Sequence, residues 1–455
     1  MKKAHHFNKD LKQRHIYFIA LGAAIGTGLF LGSATAIQQS GPSVIFAYIL
    51  CGVAVFFIMR AMGEMALQAP HLQSFSNYVT HFLSPFAGYV TGWSYVLQMA
   101  FVCLADVTAF ATYMAFWYPE VSPWVWTLAL ALILCAVNLS AVKIYGELEF
   151  LFSIIKISAI VLMIIGGLYL LTHGLNSHVR DFNSLPKIFQ LSYWFPHNWQ
   201  GFVACLPIVI YSFGGIEVIG ITAAEAREPE KSLPKAINAI PARIVLFYVM
   251  SLSVLLALYP WQKIGLNGSP FVTICEALGI HSAANILNII VITSVASAIN
   301  SDIYGASRMI YSLSREGQAL KWFNKLGRTG TPIYAIFLML AVLIFGVVFN
   351  YCKHDGLFVL MADSAAIASM ISWILILFAQ FFMRLKLNNS EIKFKMPLWP
   401  YSGILTILFM LFVISIMSYY NEIAFTCGAI WIIYLALIYN AFKYFDKKNR
   451  FVRKI

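Results

Sequence analysis

Four ionisable residues, Asp106, Lys156, Glu217 and Asp302, sit deep within long apolar stretches, and Asp363 is similarly placed. If those stretches cross lipid, a charge at a helix centre costs roughly 2.5 to 3.5 kcal/mol on insertion scales, so each residue needs a reason to be there. Lys156 follows Glu147 by nine positions. At about 1.5 Å per residue that sets it roughly 13 Å into a core about 30 Å thick, a long reach for a snorkelling side chain. It reads either as a built-in cation able to exchange a proton or as a structural lysine neutralised by helix-end carbonyls. Glu217 reads either as a proton-sensing or gating group or as a fixed hydrogen bond inside its own turn. Asp106 could contact a ligand or carry a proton, and a structural pairing with Thr108 or Tyr113 is equally open. Asp302, beside Asn300 and Ser301, reads first as a tie between helices, as does Asp363. Ser294, Ser297 and Ser301 share one helix face at i, i+3 and i+7, where their hydroxyls could hydrogen-bond near Lys156.

Two glycine-bearing interruptions accompany these groups: Ile25-Gly26-Thr27-Gly28 and Ser212-Phe213-Gly214-Gly215-Ile216-Glu217. Unwinding a helix exposes amide donors at the N-terminus of one half and carbonyl acceptors at the C-terminus of the other. A zwitterion needs both. Its carboxylate is expected on the amides around Gly26, Thr27 and Gly28, and its ammonium on carbonyls near Ala24, Ile25 and Phe213. Tyr211 and Phe213 flank the second interruption, and their rings read either as a gate over the ligand or as ordinary packing. The expected binding set is therefore Ala24, Ile25, Gly26, Thr27, Gly28, Tyr211, Phe213, Gly214 and Asp106. The expected proton-handling set is Lys156, Glu217 and Ser297.

The elements that must position these residues follow from composition. With 60% hydrophobic and 11% charged residues over 455 positions, the chain is too apolar for a water-soluble fold. About twelve stretches reach the roughly 20 apolar residues that a bilayer core requires. Their approximate bounds are 15–38, 43–66, 86–116, 123–142, 148–172, 199–225, 236–259, 283–314, 332–350, 357–383, 401–420 and 424–443. Runs such as Ile154 to Leu171 stay apolar throughout, which excludes the alternation of a barrel strand. The fold class is an all-α polytopic membrane protein. The interruptions fall in the first and sixth stretches, so five helices separate equivalent features, and an odd number turns the second set upside down in the membrane.

The basic excess, a net charge of +12, falls in alternate loops, which is topology rather than nucleic-acid binding. Only Arg180, Lys187, Lys263 and Lys353 fall on the outer side, so both termini are expected inside. The expected organisation is a cytoplasmic tail over 1–14, one transmembrane domain over 15–443 and a second tail over 444–455. No removable signal is expected. Seven scattered cysteines without a CxxC pair, and no grouped histidines, indicate neither disulfides nor a metal, and no cofactor is expected. Arg60 and Glu64, at i and i+4, read as a surface pair or an inner gate contact, and 227–235 reads as a solvated inner loop.

The stretches Ile19 to Gly32 (IALGAAIGTGLFLG), Arg60 to Met65 (RAMGEM), Tyr211 to Gly220 (YSFGGIEVIG), Glu225 to Ile240 (EAREPEKSLPKAINAI) and Ser297 to Arg308 (SAINSDIYGASR) carry a resemblance. The chain resembles, from about residue 10 to 445, an amino acid permease of the amino acid-polyamine-organocation superfamily, amino acid transporter branch, and most of all the bacterial proline-specific permeases. The resemblance implies two inverted five-helix repeats, helices 1–5 and 6–10, plus two extra helices. It also implies secondary active uptake of an amino acid, usually driven by protons. It carries to Lys156 the place that sodium takes in related sodium-coupled transporters, and it puts helix three, with Asp106, beside the substrate.

The expected function is import of a neutral amino acid by proton symport with alternating access, across the inner membrane of a bacterium. Proline is favoured, with histidine or another neutral amino acid as alternatives. Sodium coupling is a second reading, against which Lys156 stands, and a non-transporting membrane sensor is a third. An enzyme is not expected, since no nucleophile-base pair, metal-ligand spacing or phosphate loop appears. The expected partners are the amino acid, protons and the lipid bilayer, without nucleic acid; the sequence leaves the oligomeric state open.

Overall fold

A computed structural model describes residues 25–72, 74–139, 142–173, 191–222, 228–264, 269–277, 280–327, 330–351, 356–387 and 392–452. Among them the chain is nearly all helical and contains no strand. In lipid every backbone amide needs a partner within the chain, and the helix supplies one at each position. Among the described residues eight stretches are long and apolar enough to cross a membrane, one of which, Gly28–Gln68, holds two helices; Pro123–Asn138, Asn198–Tyr211 and Ile333–Val348 are shorter apolar helices.

In chain order, α1 opens as a π-helical turn, Gly28–Gly32, and continues as Ser33–Ser40. Next come α2 (Val44–Gln68), α3 (Pro85–Ala115), α4 (Pro123–Asn138) and α5 (Val142–His173). The sixth helix, α6, is in pieces: Asn198–Ala204, Leu206–Tyr211 and Val218–Thr222. The seventh, α7, runs through Ile240–Arg243, a π-helical Ile244–Met250 and Ser251–Leu258. The rest are α8 (His281–Arg315), α9 (Ile333–Tyr351), α10 (Leu357–Lys386), α11 (Tyr401–Tyr420) and α12 (Glu422–Val452). The expected sequence of helices is thus observed, with irregular backbone in the first and sixth. The part of the first stretch before Ile25, including Ala24, lies outside the described residues.

Two segments depart from the sequence reading. The stretch 227–235, expected to be a solvated loop, contains a helix over its described part, Pro229–Asn238, opened by proline at its first turn, and it buries Ser232, Leu233, Ala236 and Ile237. Apolar residues at helical spacing outweigh the two prolines there. The last helix continues beyond residue 443 as far as Val452. The 31-residue α3 is the central post: Ser84 caps it by accepting from the Ala87 amide at 3.1 Å, and it packs along both α8 and α10. On the outside, α5 and α12 turn large apolar side chains such as Leu162, Ile165, Ile433 and Leu437 outward, where lipid is the natural solvent.

Candidate functional site

The irregular turns of α1 and α6 touch. The Gly28 carbonyl accepts from Ser212 Oγ at 2.9 Å, and a Cβ built on Gly28 would lie 2.4 Å from Ser212 Cα. Glycine at 28 is therefore a packing requirement, because it lets the two backbones approach. Gly26 is different. It is partly buried, and only the Ala298 methyl, at 3.9 Å, would come near an added Cβ. Past Tyr211 the sixth helix tightens into three-residue turns, Phe213 N to Ile210 O at 3.0 Å and Gly214 N to Tyr211 O at 2.8 Å. Gly215 then takes φ +88°, the left-handed region in which other residues are strained, and helix resumes at Val218.

Asp106 links these turns. Its Oδ1 accepts from Thr27 Oγ1 on one side and from Tyr211 OH, at 3.2 Å, on the other, while Thr27 Oγ1 and Tyr211 OH lie 3.0 Å apart. Neither pairing expected from sequence is seen: Thr108 donates to the Leu104 carbonyl at 2.9 Å, and Tyr113 OH has no hydrogen-bond partner among the described residues. The residues that meet are 79 and 105 positions from Asp106, beyond the reach of any local pattern.

Around this link lies a cavity of about 30 Å³. Seven of the expected residues line it: Gly26, Thr27, Gly28, Asp106, Lys156, Tyr211 and Gly214. Sequence reading missed Tyr95, Met99 and Val102 on α3. With Asp106 they are spaced by four, three and four residues, one continuous helix face, which was the available signal. Ser301 and Asp302 complete the α8 side. A space of this size takes water-sized groups, so any larger solute would enter only as the helices move apart.

Four expected residues are elsewhere. Ile25 does not line the cavity, and its carbonyl accepts from Ser294 Oγ at 3.1 Å. Phe213 packs between Tyr48 and Tyr248, with ring centroids at 6.0 and 4.8 Å, rather than over the cavity. Glu217 stands behind the sixth-helix turn, where its Oε1 accepts from Gln98 Nε2 at 3.1 Å and Trp373 Nε1 at 2.5 Å. Ser297 donates to Glu149 Oε2 at 2.8 Å.

Glu149 is the clearest omission of the sequence reading. It is buried on α5, seven residues from Lys156 and so on the same face, and its Oε1 also accepts from Asn300 Nδ2 at 2.8 Å. Asn300 Oδ1 accepts in turn from Asn138 Nδ2 at 2.8 Å, and Ser301 Oγ lies 3.2 Å from Tyr145 OH. Of the three α8 hydroxyls, Ser297 and Ser301 thus face α5 and its glutamate, while Ser294 turns to the Ile25 carbonyl. Lys156 is fully buried, and its electrostatic neighbours are Glu149, Asp106 and Asp302. Opposite charges nearby are what make a buried ammonium tolerable.

Toward the C-terminal end of α2, Glu64 does not pair with Arg60. It is buried and accepts from Arg384 Nε and Nη2, the latter at 3.0 Å, from Gln380 Nε2 at 3.3 Å and from the Met396 amide at 2.7 Å. Arg60 instead donates to Asn238 Oδ1 at 2.8 Å and to the Lys395 carbonyl, with its guanidinium 3.7 Å from the Phe394 ring centroid. Asp363, near the start of α10, accepts from Asn421 Nδ2 and ties α10 to the α11–α12 corner.

A helical membrane bundle that closes two unwound turns around a buried, charged cavity belongs among the carriers of small solutes. The chain is a member of the amino acid permease family, which residues 15–454 match, and such proteins are transporters rather than enzymes. It is 40% identical to the uncharacterized amino acid permease YtnA of Bacillus subtilis over 98% of this chain and 97% of that one. To the amino-acid permease AapA of the same organism it is 39% identical, over 95% and 94%. To the aromatic amino acid transport protein AroP of Salmonella typhimurium it is 40% identical, over 90% and 89%.

Proposed function

We propose that this permease imports a neutral amino acid by proton symport with alternating access, proline first among the candidates and histidine or another neutral amino acid after it. The observation that carries the reading is Asp106 joined to Thr27 and Tyr211 beside Lys156, which puts an acceptor, the first amides of a half-helix and a built-in cation around one cavity. On this reading the carboxylate of the substrate rests on the amides of Thr27 and Gly28, and its ammonium competes for Asp106. Releasing either hydroxyl from Asp106 loosens α1 from α6, the movement that opening requires. Lys156 handles the proton, with Glu149 as its counter-charge, and leaves no place for sodium. The resemblance to proline-specific permeases supports proline; a relative named for aromatic amino acids supports a pocket that accepts a ring. The domain over 15–443 lies in a bacterial cytoplasmic membrane, with both tails inside.

The test is uptake of a panel of labelled amino acids into proteoliposomes, with proton or sodium gradients imposed separately. Accumulation of a neutral amino acid under the proton gradient alone is the expected result. Accumulation that needs sodium, or binding without uptake, overturns it.

A further inference from the structure

Most residues around the cavity are buried, and four are only partly so: Gly26 at the α1 turn, Gly214 and Gly215 in the turn of α6, and Ala298 on α8. Three are glycines and the fourth is an alanine, so the free space lies over backbone and a single methyl group. Asp106 lines the same space, and its Oδ2 is buried with no hydrogen-bond partner among the described residues. An acceptor in that condition costs stability until a donor reaches it, and an α-ammonium is such a donor.

With the carboxylate on the amides of Thr27 and Gly28 and the ammonium at Asp106, the side chain of the substrate is left to the apolar part of the wall. That part begins close by. Gly26 adjoins Thr27 in the chain, and the Ala298 methyl lies 3.9 Å from a Cβ built on Gly26, the separation of two carbons in contact. A side chain that enters here as the helices part therefore meets Ala298 first. Val102, one turn or about 6 Å along α3 from Asp106, and Val218 extend the apolar surface. Of the four small residues, Ala298 alone can change size without disturbing the backbone. A Cβ on Gly214 would lie 3.1 Å from the Tyr211 carbonyl oxygen, Gly215 has φ +88°, and Gly26 belongs to the turn that receives the carboxylate. Ala298 stands within the regular helix of α8.

We propose that Ala298 is a specificity-determining residue of the permease: its single methyl sets how large a side chain fits between the α1 turn and α8. The preferred substrate is then one with a short apolar side chain, of which the proline ring, folded back on its own backbone nitrogen, is the compact case. A branched residue at position 298 takes the place of that ring, and a glycine there admits a longer side chain. This inference rests on the cavity being the amino acid site and gives the order of candidates within that reading a physical cause.

Concentration-dependent uptake of labelled alanine, proline and phenylalanine by wild-type, Ala298→Val and Ala298→Gly proteoliposomes tests it. Ala298→Val should lower the affinity for proline relative to alanine by about tenfold, the scale of a methylene misplaced in an apolar pocket. Ala298→Gly should raise the affinity for phenylalanine relative to proline by about tenfold. Opposite shifts in selectivity from one position are not what a loss of stability produces. If Ala298→Val fails to fold, Ala298→Gly alone decides. Unchanged ratios, ratios that move the other way, or a wild type that takes up phenylalanine in preference to proline and alanine overturn the inference and leave the importer reading standing. So does a wild type that accumulates other neutral amino acids and none of these three. A wild type that accumulates no amino acid overturns both.

Discussion

Glu64 and Asp302 are both carboxylates buried on long helices, and they differ in what surrounds them. Glu64 receives four donors from two other segments, the two Arg384 nitrogens, Gln380 and the Met396 amide, and so binds α2, α10 and the 392–396 stretch into one unit. Asp302 faces a cavity with one oxygen that no group among the described residues satisfies. Burial alone does not distinguish a structural charge from a functional one. The hydrogen-bond tally does, because a protein can be expected to leave a buried acceptor without a partner only where a ligand or a second conformation supplies one.

The largest effects test the two sides of that contrast directly. Lys156→Ala removes the cation from the cavity and should abolish accumulation under an imposed proton gradient; full accumulation would end its coupling role. Glu64→Ala should act on the fold instead, since it strands Arg384 in a buried setting, at a cost of about 3–5 kcal/mol. Thermal unfolding in detergent reads this, and a wild-type midpoint would mean that the clamp holds nothing.

The two α1 glycines sharpen the comparison at smaller scale. Gly28→Ala drives a methyl into the Ser212 backbone, 2.4 Å from its Cα, and should destabilise by about 1–3 kcal/mol through overpacking. Gly26→Val meets no such obstacle, with the nearest atom at 3.9 Å from its Cβ. It should fold normally and yet lose substrate binding in detergent, because its side chain enters the cavity. If the variants exchange phenotypes, the assignment of one glycine to packing and the other to the ligand is wrong.

How far these sites were legible in the sequence follows from the range of the interactions. Hydropathy runs and glycine clusters are local, so the helices and the two interruptions could be read directly. Lys156 and Asp106 could be placed by depth within an apolar run, but their partners could not: Thr27 and Tyr211 reach Asp106 from other helices. Glu149 was missed because it falls at the edge of its apolar stretch, where a carboxylate reads as interfacial; its seven-residue spacing from Lys156 was the unused signal. Glu64 invited the i, i+4 pairing with Arg60, and Arg384, 320 positions away, outcompetes it with two donors and a buried setting. Phe213 lies beside the second interruption, but aromatic packing against Tyr48 and Tyr248 decides its direction.

Glu217 sits between the two kinds of carboxylate and gives the smallest expected effect. Its Oε1 holds Gln98 and Trp373, as a structural group would, while its Oε2 has no hydrogen-bond partner among the described residues, as at the cavity. Glu217→Gln separates the roles, because the amide keeps a carbonyl oxygen for both donors and loses only the ability to take up and release a proton. A structural Glu217 predicts a stability change below about 1 kcal/mol and uptake with the wild-type dependence on pH. A flattened pH profile at unchanged stability would instead move Glu217 to the same side of the comparison as Asp302, and would extend the proton-handling group from Lys156 to the turn of the sixth helix.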